Sequence, residues 1–204
     1  MSAADTTTST SPSLSMVFGS QGRLLTAADL AALPVALPSG PVDYELNNGR
    51  LVIMSPPGRR HGSSQARTAG QLLIHGEQPG HGEVFTDVGV VLWRNPDRVV
   101  SPDVAFIVRS RLPARESPEG YLETIPDLVV EIRSKNDSPA DLELKAEDYL
   151  RAGVRLVWIV DCDARTVTVR RAGAETQTLG DGDLLRVEGV IPGMETPVAS
   201  LFAA

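Results

Sequence analysis

The chain has 204 residues, 42% of them hydrophobic and 22% charged, enough for one sizeable core and too balanced for a disordered or fibrous protein. Its net charge of -7 at pH 7 opposes the phosphate backbone, so a grip on nucleic acid has to come from local arginine clusters and not from a broad basic surface. The single cysteine, Cys162, excludes a disulfide framework and a cysteine-rich zinc site, and no apolar run approaches the ~20 residues of a membrane helix.

Residues 1 to 20 are rich in Ser and Thr and lack both a basic n-region and an apolar h-region, so a flexible tail is expected there, not a signal peptide. A cytoplasmic protein follows, with residues 21 to 204 as one domain. Thr26 can cap a short packing helix over residues 27 to 33, closed by Pro34 and Pro38. Tyr44 to Met54 reads as two strands joined at Asn48-Gly49, a pair that tolerates the positive φ of a tight hairpin. From His61 to about Glu77, apolar residues recur at helical spacing.

The period then changes. Glu83 to Trp93, Val99 to Val108 and Asp127 to Arg133 are rich in Val, Ile and Phe, and the expectation is one strand each in a single sheet. Ser138-Pro139-Ala140-Asp141 starts a helix that Gly153 ends, with Leu142, Ala146, Tyr149 and Leu150 as its buried stripe and Lys145 at the stripe's margin. Arg155 to Asp161 follows as a buried strand, Arg165 to Arg171 as its hairpin partner, then short edge strands to Phe202. Cys162, at the end of that buried strand, is expected to be an inert buried thiol.

Only two of the 19 basic side chains are lysines, Lys135 and Lys145, and both follow segments where acids interrupt apolar runs. A compact ammonium can approach a reacting oxygen as a guanidinium cannot. Strand alternation puts Asp127, Val129, Glu131 and Arg133 on one face, and an acid between Val130 and Ile132 has to be paired, metal-bound or protonated. With Asp103 on a neighbouring strand, Asp103 and Glu131 can converge on a hard cation, Mg²⁺ or Mn²⁺, that takes oxygen ligands. On local sequence alone, Pro102-Asp103 and Pro126-Asp127 also read as ordinary turns, and Lys145 beside Glu143 and Glu147 as a solvated helix face. His75, Glu77, His81 and Glu83 sit in a Gly/Pro-rich stretch that reads as a solvated loop and not a second metal site. Arg59, Arg60 and Arg67, or Arg109, Arg111 and Arg115, could grip phosphate.

Tyr44-Glu45-Leu46 with Asn48-Gly49-Arg50-Leu51-Val52, Met54-Ser55-Pro56-Pro57 with His61, Ser101-Pro102-Asp103-Val104 and Pro126-Asp127-Leu128-Val129-Val130-Glu131-Ile132 with Ser134 form a recurring order. It continues through Lys145, Tyr149, Ala152-Gly153-Val154, Val157-Trp158-Ile159-Val160-Asp161, Pro192-Gly193-Met194 and Leu201-Phe202. Over roughly residues 24 to 202 this text resembles the Uma family of putative restriction endonucleases in the PD-(D/E)XK nuclease superfamily.

The resemblance implies an α/β (α+β) fold with a restriction-endonuclease-like core, a central mixed sheet flanked by helices, and extra β-hairpins at both ends. It implies Asp103 and Glu131 as metal-binding acids of a Mg²⁺- or Mn²⁺-dependent DNA endonuclease, with Glu45 and His61 lining the site. The superfamily pattern would place lysine two residues after the glutamate, where this chain has Arg133, so Lys145 on the following helix is the expected catalytic replacement and Lys135 its rival. Double-strand cleavage by such a site calls for a homodimer. The alternative is a catalytically inactive nuclease-fold module for nucleic-acid or protein binding or dimerisation, which Arg133 and the acidic charge favour.

Overall fold

The structure is a computed structural model and describes residues 22 to 202 apart from Ser39, Ser55, Glu116 and Asn136; the expected tail at residues 1 to 20 lies outside the described residues. Thr26 and Asp29 form a reciprocal capping box that starts helix α1 (Ala27–Ala31). A two-residue ladder, β1 (Ala36–Leu37) with β2 (Gly40–Pro41), leads into the hairpin β3 (Asp43–Asn47) and β4 (Arg50–Met54). Asn48 and Gly49 turn it with φ of 51° and 76°, as the Asn-Gly pair predicts. Helix α2 (Arg59–Leu72) continues as a π-helical turn, Leu73–Glu77.

Then come β5 (Gly82–Thr86), β6 (Val90–Trp93), β7 (Arg98–Val100), β8 (Val104–Val108), a 3₁₀ turn (Arg109–Arg111) and β9 (Leu128–Ile132). Helix α3 (Pro139–Ala152) starts at the Ser138 cap with Pro at its first turn and stops at Gly153, whose φ of 108° is left-handed. Strands β10 (Leu156–Asp161), β11 (Thr166–Arg170), β12 (Gln177–Gly180), β13 (Leu184–Arg186) and β14 (Glu195–Pro197) complete the chain with a last 3₁₀ turn, Val198–Leu201.

The central sheet is six-stranded and mixed, in the order β12-β11-β10-β9-β8-β5. Its β9-α3-β10 unit is parallel, with Leu128 opposite Leu156 and Ile132 opposite Val160; the other pairings are antiparallel. Alternation sorts the two faces. Leu128, Val130, Ile132, Trp158 and Phe106 pack on one side with Leu72 of α2, while Val129, Val157 and Ile159 pack on the other with Leu142, Ala146 and Tyr149 of α3. The fold class expected from sequence is the one observed.

The single-sheet expectation is corrected. Glu83 to Trp93 and Val99 to Val108 are each two strands: β5 and β8 join the central sheet, whereas β6 and β7 join a second sheet of order β4-β3-β7-β6. The first run breaks where Asp87 takes a φ of 51° and Gly89 passes so close to the Tyr121 ring that a Cβ would lie 2.3 Å from it. The second breaks at Pro102, which has no N–H to give a ladder. Asp103 therefore lies in the bend just before β8 and not inside a strand.

Candidate active site

Because Glu131 shares its face with Val129, it points at α3, where Lys145 and Tyr149 sit one turn apart. Lys145 Nζ lies 3.1 Å from Glu131 Oε2, and the Tyr149 hydroxyl donates to Glu131 Oε1 at 2.5 Å. From the second sheet, buried Glu45 on β3 brings Oε1 to 2.8 Å from the same ammonium. Its carboxylate also accepts from the Ser101 amide at 3.0 Å and lies 3.5 Å from the Arg98 guanidinium, which donates to Asp148 at 2.9 Å. Lys145 is thus not a solvated helix lysine: it bridges the two sheets.

Asp103 comes in from the other side of Glu131. The register that sets Val104 opposite both Thr86 and Val130 brings Asp87, Asp103 and Glu131 to the ends of three adjacent strands, β5, β8 and β9. Asp103 Oδ2 accepts from the Ile132 amide at 2.6 Å, and Oδ1 lies 3.1 Å from His61 Nε2 on α2. One turn along α2, Gln65 Nε2 donates to the Asp103 carbonyl at 3.0 Å and to both Asp87 oxygens at 2.8 Å. Glu45, His61, Asp87, Asp103, Glu131 and Lys145 line one cleft of about 840 Å³, with Arg59, Arg60, Arg133 and Lys135 on its lining as well.

The protonation pattern follows from burial and charge. Burial alone would lower the Lys145 pKa, but the carboxylates of Glu131 and Glu45 outweigh it and raise it, so the ammonium is held protonated. Burial pushes Glu45 up, and Lys145, the Ser101 amide and Arg98 together outweigh it and hold it below the ordinary glutamate value. Glu131 goes the other way: burial, against the pull of Lys145 and with the push of the Asp103 and Glu45 charges, raises it to about 7. Burial also raises Asp87, with Asp103 and Asp43 adding to it. Burial pulls His61 down, but its hydrogen bond to Asp103 together with the Asp103, Asp137 and Glu131 charges leaves it raised. Tyr149 is raised well above its ordinary value by burial and stays a donor.

Glu45, Asp87, Asp103, Glu131 and Asp148 set five carboxylates against three full cations, Lys145, Arg98 and Arg151. That excess of hard oxygen donors fits a hydrated divalent cation, which in a phosphoryl site takes one or two carboxylates and fills the rest with water and phosphate. A complete protein cage is not present: among the described residues no group of three or more His, Cys, Asp or Glu side chains could hold a metal ion. The loop expected at His75, Glu77, His81 and Glu83 is corrected: His75 and Glu77 lie in the π-helical turn and Glu83 on β5, and Glu77 accepts from the Val84 amide at 2.8 Å.

Arg133 does not enter the acid cluster; it pairs with Asp161 at 2.6 Å and is 39% exposed. Lys135 is exposed in the loop after β9, as read from sequence. Asp127 belongs to the opposite end of β9, fully buried, accepting from the Val108 amide at 2.9 Å and from Arg111 at 2.6 Å, with Arg155 at 3.4 Å. It is a structural acid. Asp127→Ala is expected to lower unfolding free energy by about 2–3 kcal/mol in urea titration, because the Val108 amide loses its acceptor. Cys162 corrects its expectation: it sits just past β10, half-buried and on the cleft lining, although burial does raise its thiol pKa.

Asp87 and Gln65 escaped the sequence reading. Asp87 lies inside a run that reads as one strand, and its place beside Asp103 exists only in the β5–β8 register. Gln65 carried a weak signal, four residues after His61 and so one turn away on the same helix.

A family model described as "Uma2: Putative restriction endonuclease" matches residues 28–199. Among solved structures, the chain is similar to a protein described as a putative nuclease belonging to DUF820 from Anabaena variabilis, with a TM-score of 0.73 and 20% identity, covering 87% of this chain and 97% of that one. That likeness shows the fold. No curated protein matches the chain.

Proposed function

The chain belongs to the Uma2 putative restriction endonuclease family, and from that premise we propose that it is a Mg²⁺- or Mn²⁺-dependent endonuclease hydrolysing phosphodiester bonds of DNA at the Asp103–Glu131–Lys145 cleft. The observation that carries the reading is the convergence of three elements, the bend before β8, strand β9 and helix α3, on one open cleft with acids and a single fixed ammonium. Asp103 and Glu131 would hold the cation, which when bound supplies Lewis-acid polarisation of the phosphate and a lowered pKa for water.

In the reaction, a water oxygen bonds to phosphorus, the phosphorus–oxygen bond to the leaving sugar breaks, and the water's proton ends on that leaving oxygen. Lys145, held as an ammonium by Glu45 and Glu131, cannot take that proton. It donates hydrogen bonds and offsets negative charge growing on the phosphate. His61 and the Ile132 amide fix the two oxygens of Asp103, and Tyr149 fixes Glu131, so both acids are ordered before substrate arrives. Arg59 and Lys135 along the cleft, and Arg60 and Arg133 if they exchange Asp163 and Asp161 for phosphate, would let a chain of net charge -7 hold DNA.

The second reading, a binding module without turnover, is favoured by the lack of a three-ligand metal group among the described residues. Supercoiled plasmid separates the two. With millimolar Mg²⁺ or Mn²⁺ the protein is expected to convert it to nicked and linear forms, and EDTA to stop the conversion. Intact plasmid under every metal, with band-shifted DNA, would establish the binding module instead.

A further inference from the structure

Among the described residues, the second sheet ends in a strand without the usual protection. Sheet edges carry unpaired N–H and C=O groups, and monomeric proteins blunt them with charges, prolines, bulges or covering segments. The opposite edge of this sheet, β6, has a register shift between Val91 and Trp93 and is bridged by the segment at Leu122. In the central sheet, the π-helical turn packs against β5 and the last 3₁₀ turn against β12. Among the described residues, strand β4 has none of these devices. Its register with β3 is regular from Arg50 to Met54, and among the described residues no backbone hydrogen bond joins it to anything else. It contains no proline, and its one charge is at its first position.

Its side chains are apolar on both faces. Ile53 is 50% exposed and Val52 39% exposed, although Val52 is paired across the ladder with buried Glu45. The sequence Arg50-Leu51-Val52-Ile53-Met54 is also self-complementary in the antiparallel sense. Laid against its own copy about Val52, it sets Leu51 opposite the partner's Ile53 on one face, Val52 opposite the partner's Val52 on the other, and Arg50 opposite the partner's Met54. Cross-strand apolar pairs of this kind are what stabilise a ladder, and no like charges meet.

We propose that β4 is the subunit interface of a two-fold dimer, pairing antiparallel with β4 of a second copy and joining the two four-stranded sheets into one of eight strands. The free edge can take a strand, and the apolar pairs Leu51–Ile53 and Val52–Val52 suit a second copy of β4; an isologous contact of this kind closes at two copies. Val52, Ile53 and Met54 also line the acid cleft, so the partner's strand would extend the wall of that cleft. The inference rests on the nuclease reading only for its purpose, since two coupled clefts can cut two strands.

Sedimentation of the full chain without DNA tests it. The wild type is expected to run as a dimer at about 10 μM, and Val52→Lys and Val52→Glu each as folded monomers, with far-UV spectra and cooperative melting like the wild type's. An equimolar mixture of the two variants is expected to recover the dimer, because lysine and glutamate then face each other at the two-fold axis. A monomeric wild type, or a dimer that both variants leave intact, would overturn the proposal; in the second case the interface lies elsewhere. Because no cleavage is measured, absence of nuclease activity sinks the functional reading and leaves this result standing.

Discussion

Asp103→Asn is expected to reduce metal-dependent plasmid cleavage by about a thousandfold or more while leaving the melting temperature within a few degrees of the wild type. The change removes one negative ligand from a cation that contributes several kcal/mol to the transition state, and about 4 kcal/mol corresponds to about three powers of ten in rate. Asparagine keeps an oxygen that can accept from the Ile132 amide, so the end of β9 stays ordered. Time courses at saturating Mn²⁺, with denaturation followed on the same preparations, check it. Cleavage by Asp103→Asn at the wild-type rate would remove Asp103 from the site and the mechanism with it.

Lys145→Met should damage both stability and activity, and the two losses have the same origin. Lys145 is the cation shared by Glu45 and Glu131, whose side chains are 5% and 7% exposed. Removing one partner of a buried ion pair leaves uncompensated charge and costs about 3–5 kcal/mol. Loss of the group that offsets charge on the phosphate is expected to slow cleavage about a hundredfold or more among molecules that remain folded. Adding Glu45→Gln and Glu131→Gln to Lys145→Met should return most of the stability and none of the activity. Recovery of cleavage in that triple variant would remove both Lys145 and Glu131 from the mechanism.

The same cluster gives a pH dependence with a definite sign. In the wild type Glu131 has a folded value of about 7 against an ordinary 4.5, so between those values the folded state binds more protons than the unfolded one, and this group's contribution to stability falls as pH rises. Lys145 is shifted up, so its contribution is complete below the ordinary lysine value and is lost only in strong alkali. In Lys145→Met the two buried carboxylates lack that ammonium, both are pushed up by burial, and the stability deficit is expected to shrink on going from pH 8 to pH 5. Urea midpoints at the two pH values measure this.

Glu131 shows how far local reasoning carries. An acid flanked by Val130 and Ile132 demands a partner from its place in a buried strand, and the strand's period tells which face it takes. Helix α3 announces itself through the Ser138 cap, Pro139 and Gly153, and hence the one-turn spacing of Lys145 and Tyr149. Asp127, equally acidic and on the same strand period, is a structural acid, and nothing in the two local sequences separates their roles. What separates them is which end of β9 meets the bend before β8 and which meets Arg111 and Arg155.

The chain's sequence by itself therefore determines the strands, the caps, the mixed α/β class and the residue types that can do this chemistry, because propensity, capping and alternation act within a few neighbours. Only the tertiary structure decided that two apparent strands each divide between two sheets, that Asp87 and Gln65 stand beside Asp103, and that Glu45, about a hundred residues from Lys145, shares its ammonium. Those relations depend on strand register and on the packing of one sheet against another. They are set by the simultaneous burial of side chains far apart in the chain, and no local pattern encodes that sum.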